Sequence, residues 1–174
     1  MIYFIEGCTC AGKTTLCRET LAQHPDWIMA PEHTPKIIES ESAWKRQNRI
    51  FDDYITYFEE LLAIPEKTFL ADFSPLGVIP FTLALADCKF YNSKWYELFI
   101  SAHAFLTRWR DFYHEYKNEL VCLAFLTEEP GTIAARLKER RRPGDEVWEP
   151  AFIKVLCYHY ELTKEHYAKE FNLC

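Results

Sequence analysis

The sequence predicts an α/β fold, a parallel sheet flanked by helices, and three observations carry that expectation. Short apolar runs alternate with longer helical stretches along the chain, the pattern of strand–helix–strand units. The first of those runs passes straight into a loop bounded by two glycines and then into a helix. The composition, 49% hydrophobic and 26% charged over 174 residues, is that of a globular chain and excludes a disordered or fibrous one.

Taken in order, Ile2–Glu6 is an apolar run stopped at Gly7, a buried-strand pattern. Lys13–Gln23 reads as a helix ended near Pro25, and Trp27–Ala30 as a second strand closed by Pro31. Ser40–Ala63 is a long helical stretch in which Trp44, Gln47, Phe51, Tyr54 and Phe58 recur at spacings of three and four, so they share one face. Thr68–Ala71 is a third strand with Asp72 at its carboxyl end, and Pro75 opens a helix to about Ala86. Lys94–Lys117 is a second long helix, and Leu120–Leu126 is the clearest strand. Gly131–Arg141 is helical and strongly basic until Pro143-Gly144, and Ala151–Glu170 is the last helix. Phe171–Cys174 is all that remains for a fifth strand. With no repeat, low-complexity tract or linker, residues 1–174 are expected to form one domain.

Charge and cysteine content narrow the classes of partner. Twenty Lys and Arg against 26 Asp and Glu leave a net charge of −6, which disfavours a nucleic-acid coat or an anionic membrane surface. The start, Met1–Gly7, carries neither a basic n-region nor an h-region, so no secretory signal is expected. The seven cysteines then read as reduced thiols in a cytoplasmic setting.

The segment Gly7-Cys8-Thr9-Cys10-Ala11-Gly12-Lys13-Thr14 fits the phosphate-loop pattern G-x-x-x-x-G-K-[ST], directly after a strand and opening a helix. Its glycines let the backbone curl so that successive N–H groups point at phosphate oxygens, and the helix N-terminus adds its positive end. Lys13 is expected to reach the β- and γ-phosphates of ATP, Thr14 to bind Mg²⁺, and Thr15 to touch the α-phosphate. Cys8 and Cys10 contribute backbone here, since no second Cys/His pair of zinc-like spacing accompanies them.

On these residues the chain resembles the deoxynucleoside kinase and thymidylate kinase group of P-loop kinases. Ile5-Glu6-Gly7, followed by Ala11-Gly12-Lys13-Thr14-Thr15, is similar to that group's opening. Ala30-Pro31-Glu32 resembles the element carrying its catalytic-base glutamate, and Asp72-Phe73-Ser74-Pro75 its acidic-Arg-Ser element, with Phe73 in place of the arginine. Arg136, Arg140 and Arg142, with Asp145 and Glu146, look like its arginine-rich lid, at about 131–146, and Tyr160-Glu161 like its C-terminal Tyr-Glu pair. Cys10 stands where the group often has glycine. Asp72–Leu76 is about as similar to an element of ribosylnicotinamide-kinase-like ATPases. The resemblance implies a three-layer P-loop kinase fold with a basic lid, and phosphoryl transfer from ATP to a nucleoside hydroxyl. A thymidylate-type monophosphate kinase is the rival, and a regulatory nucleotide binder the reading from another class.

Roles for the remaining residues follow from chemistry. Glu32 and Asp72 lie at carboxyl ends of predicted strands, where open α/β sheets bind ligands. Glu32 is expected to accept the acceptor's proton and Asp72 to hold Mg²⁺ directly or through water. Arg136, Arg140 and Arg142 would stabilise charge on the transferring phosphoryl group. Trp44, Gln47 and Phe51 are expected to bind the acceptor together with Glu32 and Phe73, Gln47 pairing a base edge while an aromatic ring stacks on it. The large apolar residues of Lys94–Lys117 exceed what one face can bury, which predicts a homodimer through the long helices.

Overall fold

The computed structural model describes residues 1–31, 33, 40–88, 95–140, 148–167 and 170. Strand β1 (Ile2–Gly7) leads through the phosphate loop to α1 (Lys13–Gln23), and β2 (Ile28–Met29) follows. Helix α2 (Ala43–Leu62) runs to β3 (Phe69–Ala71), and a single 3-10 turn, Pro75–Gly77, precedes α3 (Val78–Asp87). Then come α4 (Trp95–Glu115), β4 (Leu120–Leu126), α5 (Pro130–Arg140) and α6 (Pro150–Tyr167). The helix expected from Pro75 thus starts as a tighter turn. The possible fifth strand at Phe171–Cys174 lies outside the described residues.

Among the described residues the sheet has four parallel strands in the order β2-β3-β1-β4. Alternation along β1 splits its side chains between two apolar layers. Ile5 joins Cys17 and Leu70 under α1, where Tyr3 stacks on Trp27 at 4.1 Å. Ile2 and Phe4 face the larger core built from α2, α3, α4 and α6, where Phe4 meets Phe58 and Trp109 edge-on. The β1–β4 register skips one residue, pairing Phe4 with Cys122 but Ile5 with Ala124. This bulge explains why Leu120, Cys122 and Phe125, rather than strictly alternate residues of β4, are buried in the larger core.

Helix α3 is apolar at nearly every position and is buried against α4 and α6. A helix without a polar face can only sit inside the molecule. Helices on both faces of a parallel sheet make three layers, and the carboxyl ends of β1 and β3 open side by side on one edge. Chain order reverses between these strands, so the crevice at their ends is where such folds take ligands. No described helix is long and apolar enough to cross a membrane.

Candidate active site

The phosphate loop is shaped by what β1 must pass. Gly7 has φ 143°, and a Cβ there would collide with the Leu126 carbonyl, so only glycine lets β1 run this close to β4. Gly12 caps α1 with φ 97°. Between them Cys10 holds φ 56°, a left-handed conformation that is uncommon outside glycine. Lys13 folds back over the loop, its Nζ donating to the carbonyls of Gly7 (2.7 Å) and Cys8 (2.8 Å).

A cleft of about 900 Å³ opens over this loop, lined by Thr9, Cys10, Ala11, Gly12, Lys13, Thr14 and Thr15. Asp72 closes one side, and Arg136 and Arg140 of α5 the other. Arg136 ties α5 to the loop, donating to the Cys10 carbonyl at 2.9 Å while pairing with Glu128 at 3.2 Å. Thr14 Oγ1 donates to Asp72 Oδ2 at 2.7 Å, bringing together a hydroxyl and a carboxylate from different parts of the chain.

A second cleft of about 250 Å³ lies beside the first, and Lys13 lines both. Its walls are Ile50, Tyr54, Phe73, Val78, Phe81 and Tyr160, with Gln47 among them. Gln47 is buried, and the Thr82 hydroxyl shares its proton between the Val78 carbonyl (2.7 Å) and Gln47 Oε1 (3.2 Å). Gln47 lines this cleft, which puts a polar amide among its aromatic and aliphatic walls. Burial, with the charges of Glu6 and Asp72, pushes the Tyr54 phenol up to about 12, so it stays a hydrogen-bond donor at neutral pH.

Glu6 is the site residue that sequence reasoning passed over. Its carboxylate is buried and accepts three hydrogen bonds: from the Gly7 N–H (2.8 Å), the Ser74 N–H (3.0 Å) and the Ser74 hydroxyl (2.6 Å). It joins the first residue of the phosphate loop to the segment after β3. Burial pushes its carboxyl above the ordinary range, while the Lys13 cation and the Ser74 hydroxyl pull it back. A Cβ on Gly77 would stand 2.6 Å from Glu6 Oε1, so the turn before α3 needs glycine there. One signal was present in the sequence: an acid within a buried strand must find partners.

The structure therefore groups Thr9–Thr15, Asp72, Arg136 and Arg140 around one cleft, and Gly7, Gln47 and Phe73 around its neighbour, while Cys8 lines neither. Two expectations need correction. Phe51 is fully buried and stacks on Phe105 at 4.5 Å, so it belongs to the core between α2 and α4. Trp44 packs against the core with the Lys45 ammonium over its ring, and does not line the second cleft. The helical spacing that put both on Gln47's face is real, but that face is wide enough for part of it to meet α4. Cys157, expected as plain core, has its sulfur 3.8 Å from that of Cys8. Glu32, Arg142, Asp145 and Glu146 lie outside the described residues, as do 141–147 of the expected lid. Glu32's neighbours are placed: the Tyr57 hydroxyl donates to the Pro31 carbonyl at 2.7 Å, and His33 stacks on Tyr57.

No protein-family model and no curated protein matches the sequence, but solved structures do. A deoxyadenosine kinase from M. mycoides, with the products dCMP and a flexible dCDP bound, is similar at TM-score 0.73 and 17% identity, over 100% of this chain and 88% of its own. The same enzyme with dATP bound gives a TM-score of 0.70 at 16% identity, over 100% of this chain and 89% of its own. The YorR protein from Bacillus subtilis, in complex with phosphorylated GDP, gives 0.51 at 16% identity, over 100% and 82%. At such identities the likeness speaks for architecture, and the architecture is plain: this chain has the fold of the deoxynucleoside-kinase-like P-loop kinases.

Proposed function

We propose that the protein, read as one kinase domain over residues 1–174 with its lid at about 131–146, transfers a phosphoryl group from ATP to the hydroxyl of a nucleoside. The observation that carries this reading is the shared position of Lys13, which lines both the cationic phosphate-loop cleft and the aromatic, amide-bearing cleft beside it. A phosphate held at Lys13 is then within reach of both sites, and catalysis is mostly positioning and charge stabilisation.

In this reading the loop N–H groups and Lys13 hold the donor phosphates, and Arg136, Arg140 and Arg142 spread the charge that develops on transfer. Tyr54, Phe73 and Phe81 sandwich the acceptor's base, and the Gln47 amide takes its edge. Glu32 accepts the hydroxyl proton. Thr14 and Asp72 offer hard oxygen ligands side by side, which suits Mg²⁺, an ion that keeps several waters and takes few protein ligands. Bound there, Mg²⁺ would supply neutralising charge on the donor phosphates.

A homodimer fits the surface of α4. Phe105, Trp109, Phe112 and Tyr113 are buried, but Trp95, Tyr96, Phe99 and Ile100 are exposed along its first turns. The test is ADP release from ATP with a panel of nucleosides and their 5′-monophosphates. Release that depends on a nucleoside is the expected result. Release that ignores every acceptor would overturn the kinase reading in favour of a nucleotide-binding module.

A further inference from the structure

Cys8 is the residue after Gly7 in the phosphate loop, and Cys157 sits on α6, 149 residues later. Their sulfurs are 3.8 Å apart in a buried contact. Cys8 is also the loop residue whose backbone carries most: its N–H donates to the Leu126 carbonyl at 3.3 Å, and its carbonyl receives both Lys13 Nζ and the Ala11 N–H. Cys157 lines a surface cleft of about 420 Å³ with Thr127, Glu128, Pro130 and Lys154, so of the two residues it lies nearer to solvent.

We propose that Cys157 and Cys8 are a peroxide-sensitive dithiol whose oxidation cross-links α6 to the phosphate loop and disables nucleotide binding. The oxidant is a hydroperoxide arriving through the cleft at Cys157. Cys157–SH and H₂O₂ give Cys157–SOH and water, as the O–O bond breaks and sulfur loses two electrons. The Cys8 thiol then displaces hydroxide from that sulfenic acid, forming the Cys8–Cys157 disulfide and a second water, so two thiols have reduced one peroxide by two electrons. Cys157 lines the surface cleft and Cys8 does not, so Cys157 is the sulfur oxidised first, and the 3.8 Å contact sets the Cys8 thiol beside it to resolve the sulfenic acid.

The mechanical consequence follows from bond length. A disulfide of ~2.05 Å draws the two sulfurs closer by roughly 1.8 Å. Drawing Cys8 toward α6 pulls on the bonds its backbone makes to Leu126, Ala11 and Lys13, inside the loop that is to hold the phosphates. A thiol reductant restores the open loop. The effect on binding rests on the loop being the nucleotide site, whereas the cross-link itself does not.

The test treats the purified protein with hydrogen peroxide and reads two signals. After tryptic digestion without reductant, mass spectrometry is expected to find peptide 1–13 joined to peptide 155–164, with fragmentation assigning the bond to Cys8 rather than Cys10. In parallel, affinity for a fluorescent ATP analogue should fall by about tenfold or more, the scale of losing one contact to a charged group. Dithiothreitol should restore it. Untreated Cys157→Ala should bind the analogue as the wild type does and keep that affinity in peroxide; Cys157→Ser serves if the alanine variant does not fold. Separate alkylation of both thiols after peroxide would overturn the proposal. So would a cross-linked protein that still binds the analogue, or a Cys157→Ala protein inactivated as fast as the wild type. Failure of the untreated wild type to bind the analogue would instead count against the nucleotide site, which separates the two readings.

Discussion

The hydroxyl of Thr14 donates to the Asp72 carboxylate at 2.7 Å, joining the first turn of α1 to the end of β3 across 58 residues. Neither oxygen belongs to the same loop, yet the parallel β1–β3 pairing sets their two strand ends side by side. Asp72→Asn keeps the shape and removes the charge. Its expected effect is a fall of about 10–100-fold in turnover, with a raised Mg²⁺ requirement. Turnover measured against Mg²⁺ concentration checks this, and an unchanged Mg²⁺ dependence would remove Asp72 from the metal site.

Lys13→Ala is expected to lower turnover by about 10²–10³-fold, because a preorganised cation at the transferring phosphate is lost. The loop itself should survive, since Gly7 and Gly12 rather than the lysine set its curvature. Circular dichroism confirms folding, and steady-state rates confirm the loss.

A nucleoside is expected to be a better acceptor than its own 5′-monophosphate. Among the described residues lining the second cleft, Lys13 is the one cation, while Glu6 lies in its floor and Asp72 nearby. A monophosphate is already charged and needs no base, whereas a hydroxyl must lose a proton during attack. Values of kcat/KM for matched pairs should favour the nucleoside, and Glu32→Gln should reduce that activity by about 10²–10⁴-fold. Preference for monophosphates with Glu32→Gln still active would contradict both roles.

Gly77→Ala is expected to destabilise the fold by roughly 1–3 kcal/mol, the usual cost of forcing a methyl into a filled space. The methyl would stand 2.6 Å from Glu6 Oε1, and three hydrogen bonds keep that carboxylate from stepping aside. Urea denaturation midpoints of the two proteins give the difference directly. An unchanged midpoint would mean that the Glu6 carboxylate is free to move.

The exposed aromatic turns of α4 are expected to hold two copies together at micromolar concentration. Light scattering should return twice the chain mass for the wild type. Trp95→Ala combined with Phe99→Ala should return the single-chain mass with the helix content unchanged. A monomeric wild type would show that this face is simply left exposed.

By itself the sequence determined the parts of this protein whose physics is local. The phosphate loop was legible because its curl needs glycine at Gly7 and Gly12 and its charge needs Lys13, all within eight residues. Helix α1 followed because Gly12 and Pro25 mark its ends, and strand β4 because Leu120–Leu126 is an unbroken apolar run. What joins distant segments was decided by tertiary structure alone. The spacing of Phe51 on α2 is the same whether it meets a base or Phe105, and only the docking of α4 chose the latter. Glu6 reads as a stray acid until β3 brings Ser74 to it. Cys8 suggested Cys10 as its neighbour in sequence, but α6 supplied Cys157 instead, because periodicity reports which face a residue occupies and never what arrives opposite it.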